Sequence, residues 1–445
     1  MQFFDKVGAV IEQRWKEANY LESAFPEISA QVLGEADAVG NVDPWEIVAY
    51  LQAASTLPEQ QTDTFSDLAL TLYRASRFGI DVYFWLDSTT SIHQHSFSGA
   101  FQVLAGSSVH SIYHFKLEQL VNAHFSIGEV LLGDVQILNR GDIRKIRPGR
   151  PFIHSLFHLD RPSVTITVRT RQDPNTLPQY NYLKPHFAFN PAFNDPVTSK
   201  KLESAVMLLR LRDPGAYNFL DELISLSDFQ TTFLILDAAY HQLINHTRDR
   251  FQPWKENKRP QDDFPDEKSR FLGLLRRART RHGNLTDFIF PVLDETQRNK
   301  VLVNLRSTVS ASEHRLFLGL LLNVESRAQL VDLVRQRFPD RDPVGCICTW
   351  VDELYKTNKP GSDSSILGIK SFGRVHRFIF RQLLEGISTE ELRIKTNGGD
   401  LEVSEGERMR ICDSFERSII LKSVLRNPHG ESTISTRKIV EPATA

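Results

Sequence analysis

His93 and His95 are separated by one residue in the stretch Ser91-Ile-His-Gln-His-Ser-Phe-Ser-Gly-Ala-Phe-Gln-Val-Leu-Ala-Gly106. Side chains alternate across a strand with period 2, so both imidazoles project from one face, where a single metal ion can take them. The alternation continues: His93, His95, Phe97, Gly99, Phe101 and Val103 share one parity, and Gln94, Ser96, Ser98, Ala100 and Gln102 the other. The pattern predicts a half-buried strand over His93–Leu104 that carries a candidate metal site into an interior.

Such a strand needs others to hold it. From Ile80 to about Tyr182 the chain is rich in β-branched and aromatic runs separated by turn residues. Asp81–Leu86, Val109–Phe115, Ala123–Leu132, Val135–Leu138, Ile143–Ile146, Pro151–Leu159 and Ser163–Thr170 read as strands, with Asn139-Arg-Gly-Asp142 as a turn between two of them. Many short strands at regular intervals suggest a small β-barrel or a two-sheet sandwich. Residues 1–78 read as a helical segment. Asp43-Pro44-Trp45-Glu46 has the form of a helix start, and an amphipathic run from Thr64 to Arg77 predicts a further helix. Beyond the Pro/Asn-rich passage 174–196, helical spacing returns over Ser199–Arg212, Tyr217–Ser225, Asp228–Asn245, Lys268–His282, Glu295–Thr308, Ser312–Asn323 and Ser326–Phe338. Ser310 and Glu313 are spaced for a capping box. Segments 257–266 and 356–365 read as loops, and 427–445 as a polar, disordered tail.

Composition narrows the function classes. With 445 residues, a formal net charge of −2 and 41% hydrophobic residues, the chain reads as an ordinary globular protein of two or three domains. No global basic excess points to nucleic acid. The basic cluster Arg276, Arg277, Arg279, Arg281 and His282, with Lys258-Arg259, lacks interleaved aromatics and reads as solvated surface. Three cysteines, Cys346, Cys348 and Cys412, are too few for a disulfide framework and read as buried thiols in a reducing compartment. No apolar window is long enough for a membrane span and the N-terminus does not read as a secretory signal, so the expectation is a cytoplasmic protein.

With the strands and histidines in order, residues 78–185 resemble the cupin superfamily. Its first motif has His-x-His, three or four residues, Glu, six residues and Gly. Here His93-x-His95 is followed by Gly106 at the right distance, with Gly99 where the Glu would stand. Its second motif has Gly, Pro and Gly, then His, three residues and Asn. Here Gly141, Pro148 and Gly149 precede His154, with His158 in place of Asn. The spacing from Gly141 to Pro148 is one residue longer than in the motif, and Asp87 replaces the Gly that usually precedes the first motif.

The resemblance implies a cupin-like β-barrel (double-stranded β-helix) over 79–185; with the helical patterns of 1–78 and 199–426, which lie outside it, the expected fold is α+β, a central barrel with N-terminal helices and a larger C-terminal helical domain. It puts His93, His95 and His154 forward as metal ligands. A neutral three-His set without the Glu is similar to that of cysteine dioxygenase-type thiol dioxygenases, which implies Fe(II); Ni, Zn and Cu suit imidazole as well, and Mn is the further divalent alternative. Gly99 then reads as leaving an open coordination position. His158 is a fourth ligand, a hydrogen-bonding partner of a ligand, or an acid/base group, and Tyr113 a pocket residue with a catalytic role. His110 and His114, which share a parity, read as pocket residues or as ordinary sheet surface, and His186 as a loop residue within reach of the barrel mouth. That family's substrate carboxylate meets an Arg, for which Arg74, Arg77, Arg161 and Arg169 are counterparts; the Cys–Tyr cross-link of some members cannot form, since neither Gly99 nor Ala100 is Cys. The implied function is a mononuclear non-haem oxygenase acting on a small polar metabolite with O2, independent of nucleic acid and membrane, and by resemblance a homodimer. Two alternatives come from other classes: a non-catalytic cupin ligand sensor with a helical interaction module, and a metal-independent isomerase.

Overall fold

The computed structural model describes residues 1–61, 66–87, 91–171, 178–191, 196–248, 265–324, 326–357, 365–394, 403–418 and 420–421. Four helices come first: α1 (Gln2–Glu17), α2 (Phe25–Glu35), α3 (Ala38–Asn41) and α4 (Pro44–Ala53). Phe4, Val7, Ile11 and Trp15 recur at helical spacing on α1 and are buried together with Phe25, Val32 and Leu33 of α2. Asp43 caps α4 as predicted, its carboxylate accepting from Trp45 N at 2.9 Å, with Pro44 in the first turn.

Over its described part, from Ser66 on, the run expected as a helix from Thr64 to Arg77 is not one. Within it β1 (Leu68–Arg74) pairs antiparallel with β2 (Phe78–Trp85), from Leu68↔Phe84 to Arg74↔Gly79. Leu-Ala-Leu-Thr-Leu satisfies both periods over so short a run, and the sheet partner decides the outcome. Leu70 and Leu72 face the core under the N-terminal helices, while Thr71 turns the other way, to Asp81.

The remaining strands are β3 (Ile92–Gln94), β4 (Gly99–Ala105), β5 (Ser108–Asn122), β6 (Phe125–Leu138), β7 (Ile143–Ile146), β8 (Ile153–His158), β9 (Ser163–Thr170), β10 (Asn181–Leu183) and β11 (Phe187–Phe189). One sheet has the order β1-β2-β9-β4-β7; the order β10-β11-β6-β5-β8-β3 closes into a barrel. The fold is thus α+β, with a six-stranded barrel, a second sheet and helical regions on both sides in sequence. Two expectations for the strands change. Ala123–Leu132 and Val135–Leu138 are one strand, β6. His93–Leu104 breaks near Ser96, so that β3 belongs to the barrel and β4 to the five-stranded sheet. The parity survives the break: Phe101 and Val103 pack inward with Phe152 and Leu156, while Ala100 and Leu104 face the N-terminal helices.

The C-terminal helices are α5 (Pro196–Leu211), α6 (Ala216–Leu226), α7 (Phe229–Arg248), α8 (Pro265–His282), α9 (Ile289–Arg306), α10 (Ser312–Asn323), α11 (Arg327–Arg337), α12 (Pro343–Lys356), α13 (Arg374–Leu384), α14 (Thr389–Ile394) and α15 (Glu405–Arg417). The capping box expected at α10 is absent. Its N-cap is Ala311, without a side-chain bond, because Glu313 is engaged by Arg341 and by Trp350 Nε1. Where 199–426 reads as one domain in sequence, contacts divide the chain otherwise. Among the described residues, one compact unit comprises 1–115, 131–181 and 299–421; the other comprises 116–130 and 182–298. In the first unit, α10–α15 build a core that takes in Val109 and Phe157 from the outer faces of β5 and β8. In the second, α5–α8 and the first part of α9 close over Phe125, Ile127 and Phe187. Cys346, Cys348 and Cys412 are free and buried, as expected, and burial pushes the Cys348 thiol up to about 11. No described helix is long and apolar enough to cross a membrane. The tail 427–445 and the Lys258-Arg259 pair lie outside the described residues, as do most of the two expected loops.

Candidate metal centre

Three backbone devices hold the first two histidines. β3 pairs with β8 so that His93 lies opposite His154 and Gln94 opposite Ile153. On the other side, Gln94 N donates to Tyr180 O at 3.0 Å and Gln94 Nε2 to Pro178 O at 3.0 Å. Gly149, at φ +74°, donates its N–H to His95 O at 2.8 Å, fixing the chain one residue beyond β3. Directly opposed residues share a face, so His93 and His154 point the same way.

The result is a cluster of three buried imidazoles whose ligand atoms all lie within 4.8 Å of one another. His95 Nε2 and His154 Nε2 are 2.8 Å apart. His93 Nδ1 lies 2.7 Å from the Ser91 carbonyl, which can only accept, so the proton is on Nδ1 and the Nε2 lone pair is available. Two imidazoles held at right angles on an ion, with metal–nitrogen bonds of about 2.1 Å, stand about 3.0 Å apart. The His95–His154 separation fits that spacing, and the Ser91 carbonyl supplies the outer hydrogen bond that metal-ligating histidines ordinarily make. The donor set therefore fits a divalent metal. Among the described residues no carboxylate joins the group.

The surroundings keep these rings neutral. Phe97 and Phe152 lie against His95, with ring centroids 4.5 and 6.1 Å away, and Phe101 lies 6.2 Å from His154. Burial lowers the pKa of His93. His95 is held well below the ordinary histidine range by burial, then by His93 and Arg169. His154 is held there by burial, then by His93, His95 and His110. Neutral imidazole is the form that ligates.

Gly99 occupies the position of the missing Glu, but it does not leave room for a ligand. A Cβ there would fall 1.9 Å from Val168 O, so the position admits only a hydrogen where the β9 backbone lies against it.

The other expected site residues are placed apart from the cluster. Tyr113 lies opposite Ile153, on the outer face of the β5–β8 pair, whereas Ile112 lies opposite His154. Its hydroxyl donates to Asn323 Oδ1 of α10 at 3.0 Å, which Ser155 Oγ also reaches at 3.2 Å. A catalytic part for Tyr113 at this cluster is therefore not what the pairing provides. His158 does share the inner face with His154, but it lies four strand positions on, about 13 Å away, too far to ligate one ion together. His158 instead stacks on Trp85 at 4.6 Å and its Nδ1 meets Ser108 Oγ at 2.9 Å. His186 contacts Gly128 O and the Phe288 ring in the second unit. His114 is exposed, as expected. His110, which the sequence left between pocket and sheet surface, is 1% exposed and places Nε2 at 3.0 Å from His154 Nδ1. The signal lies in the β5–β8 register, in which His110 precedes by one inward position the residue opposite His154.

Burial, then Arg306 and Arg315, pushes His158 down to about 3. A histidine kept neutral by the fold but protonated near pH 6.5 when unfolded destabilises the native state in acid. Stability is full above pH 6.5 and falls, by about 1.4 kcal/mol per pH unit for each such residue, as pH drops toward 3. His158→Gln is expected to flatten the pH dependence of the urea midpoint by one proton's worth over that window; an unchanged slope would contradict the burial argument.

No protein-family model and no curated protein matches this chain. Among solved structures it is similar to a cupin-superfamily sugar phosphate isomerase from Silicibacter pomeroyi, at 16% identity over 28% of this chain and 73% of that one, with a TM-score of 0.19. A cupin-superfamily protein from Desulfitobacterium hafniense aligns at 14% identity over 26% of this chain and 95% of that one, TM-score 0.17. Hydroquinone 1,2-dioxygenase from a Sphingomonas species aligns at 12% identity over 30% and 79%, TM-score 0.19.

Proposed function

We propose that this chain is a mononuclear non-haem metal-dependent oxygenase, using Fe(II) and O2 on a small polar, anionic metabolite. The observation that carries the reading is the neutral His93–His95–His154 group, buried and without a carboxylate among the described residues. Three neutral ligands leave an ion's double charge uncompensated and some of its coordination positions open, which favours an anionic substrate. When bound, the metal supplies Lewis acidity and a template on which substrate and O2 meet.

The chain's own residues do the rest. Phe97, Phe101 and Phe152 exclude water around the imidazoles. Arg169 supplies positive charge beside them. Its Nε donates to the buried Asp81 at 2.9 Å, and its guanidinium lies 5.2 Å over the Phe97 ring that packs on His95. Asp81 is itself fixed by Thr71 Oγ1 at 2.7 Å and by Gln61. That leaves the two Nη groups of Arg169 as a fork for a carboxylate or phosphate. The other three arginines are spent elsewhere: Arg74 on Glu59, Arg77 over Tyr20 and Arg161 on Asp87.

O2 uptake by the Fe(II)-loaded protein, screened against small carboxylates and phosphate esters, tests the reading. Turnover with at least one anionic compound, absent without iron, is the expected result. Iron-independent turnover, or none across the screen, would count against it. For a compound that turns over, Arg169→Lys is expected to raise KM about tenfold with a smaller change in kcat, since lysine keeps the charge and loses the fork. An unchanged KM would remove Arg169 from the substrate site.

A further inference from the structure

His110 has no role in the ligand set, yet it is the most deeply buried of the four histidines gathered here. Its Nε2 faces His154 Nδ1 at 3.0 Å, and the ring stands nearly perpendicular to that of His154, at 78°. Phe101 and Phe152 pack on it at 6.0 Å each, so the ring is fixed by apolar walls. Along the line His95–His154–His110 two contacts must each carry one proton. In the neutral chain they can run in either direction. Either His95 donates to His154 and His154 to His110, or the order reverses. The two directions differ in which nitrogen of His154 is bare. Only the first leaves His154 Nε2 without a proton and facing His95.

We infer that His110 is the positioning residue of the metal centre: by accepting from His154 Nδ1–H, it holds His154 in the tautomer that presents Nε2 to the ion. This rests on the reading of His93, His95 and His154 as ligands. An ion on His95 Nε2 and His154 Nε2 needs both nitrogens bare: the proton on His95 Nε2 moves to Nδ1 of the same ring, and His154 keeps its single proton on Nδ1. His110 Nε2 is the acceptor waiting for it. The buried His154 N–H would otherwise be left unsatisfied, since His110 Nε2 is its one partner among the described residues.

The test is Zn(II) titration of the full-length wild type, His110→Leu and His110→Gln, with His154→Ala as the baseline. Nitrogen-15 NMR of the Zn(II)-loaded wild type accompanies it. Leucine fills the space without an acceptor and is expected to raise Kd about 10- to 100-fold. Glutamine places an oxygen where Nε2 was and is expected to recover most of that loss, which a merely structural role would not produce. The spectrum is expected to show His154 protonated at Nδ1 and bound through Nε2. Equal Zn(II) affinity in folded His110→Leu overturns the inference while leaving the ligand set standing. So does His154 bound through Nδ1, a result that needs no variant to fold. Wild type that takes no Zn(II), or His154→Ala that takes it as tightly, overturns the ligand set and the inference with it.

Discussion

Gly99→Glu is expected to prevent folding, and Gly99→Ala alone to cost about 3 kcal/mol, the upper part of the range for overpacked interiors. Gly99 is paired on both sides, with Ile146 of β7 and Arg169 of β9. A Cβ would meet Val168 O at 1.9 Å, Val168 C at 2.9 Å and Arg169 Cα at 3.1 Å. All three are backbone atoms of a strand hydrogen-bonded on both edges, so no flexible side chain can move aside. Urea unfolding of the two variants checks this. A folded Gly99→Glu protein with raised metal affinity would show instead that the glycine is a vacant ligand position.

His154→Ala is expected to lower metal affinity by at least about 10³-fold, because it removes one of three ligands and breaks the contacts to both His95 and His110. Its signature in stability is equally direct. At a metal concentration of 100 times Kd, a bound ion stabilises the wild type by about 2.7 kcal/mol. The variant should show no such shift. In the metal-free state it leaves a cavity and buried imidazole nitrogens without partners, a loss of about 2–4 kcal/mol. Thermal melts of both proteins with and without Zn(II) separate the two effects. A metal-dependent rise in Tm that persists in His154→Ala would place the binding elsewhere.

The contrast between these two positions shows what could be read in the amino-acid order. His93, His95 and His154 were legible because β periodicity and motif spacing are local, and three residues suffice to state them. The helices from α5 to α11 were legible for the same reason, their apolar residues recurring every three to four positions. Gly99 was misread, since whether a glycine marks space or its absence depends on which backbone lies against it, here Val168, almost seventy residues away. Register decides Tyr113 and His110, whereas distance decides His158, which shares the inner face with His154 but lies about 13 Å along the strand. One step of pairing between β5 and β8 decides whether a side chain enters the interior or meets α10, and no local pattern fixes that step. The strand at Leu68–Arg74 was lost to a run short enough to satisfy both periods.

Metal content decides the central claim. The chain, purified without chelator or polyhistidine tag and dialysed anaerobically against Fe(II), should hold one equivalent of iron by elemental analysis. His93→Ala, folded by circular dichroism, should hold none. Wild type that retains no metal under those conditions, or a His93→Ala variant that retains as much, would contradict a metal centre at these three histidines.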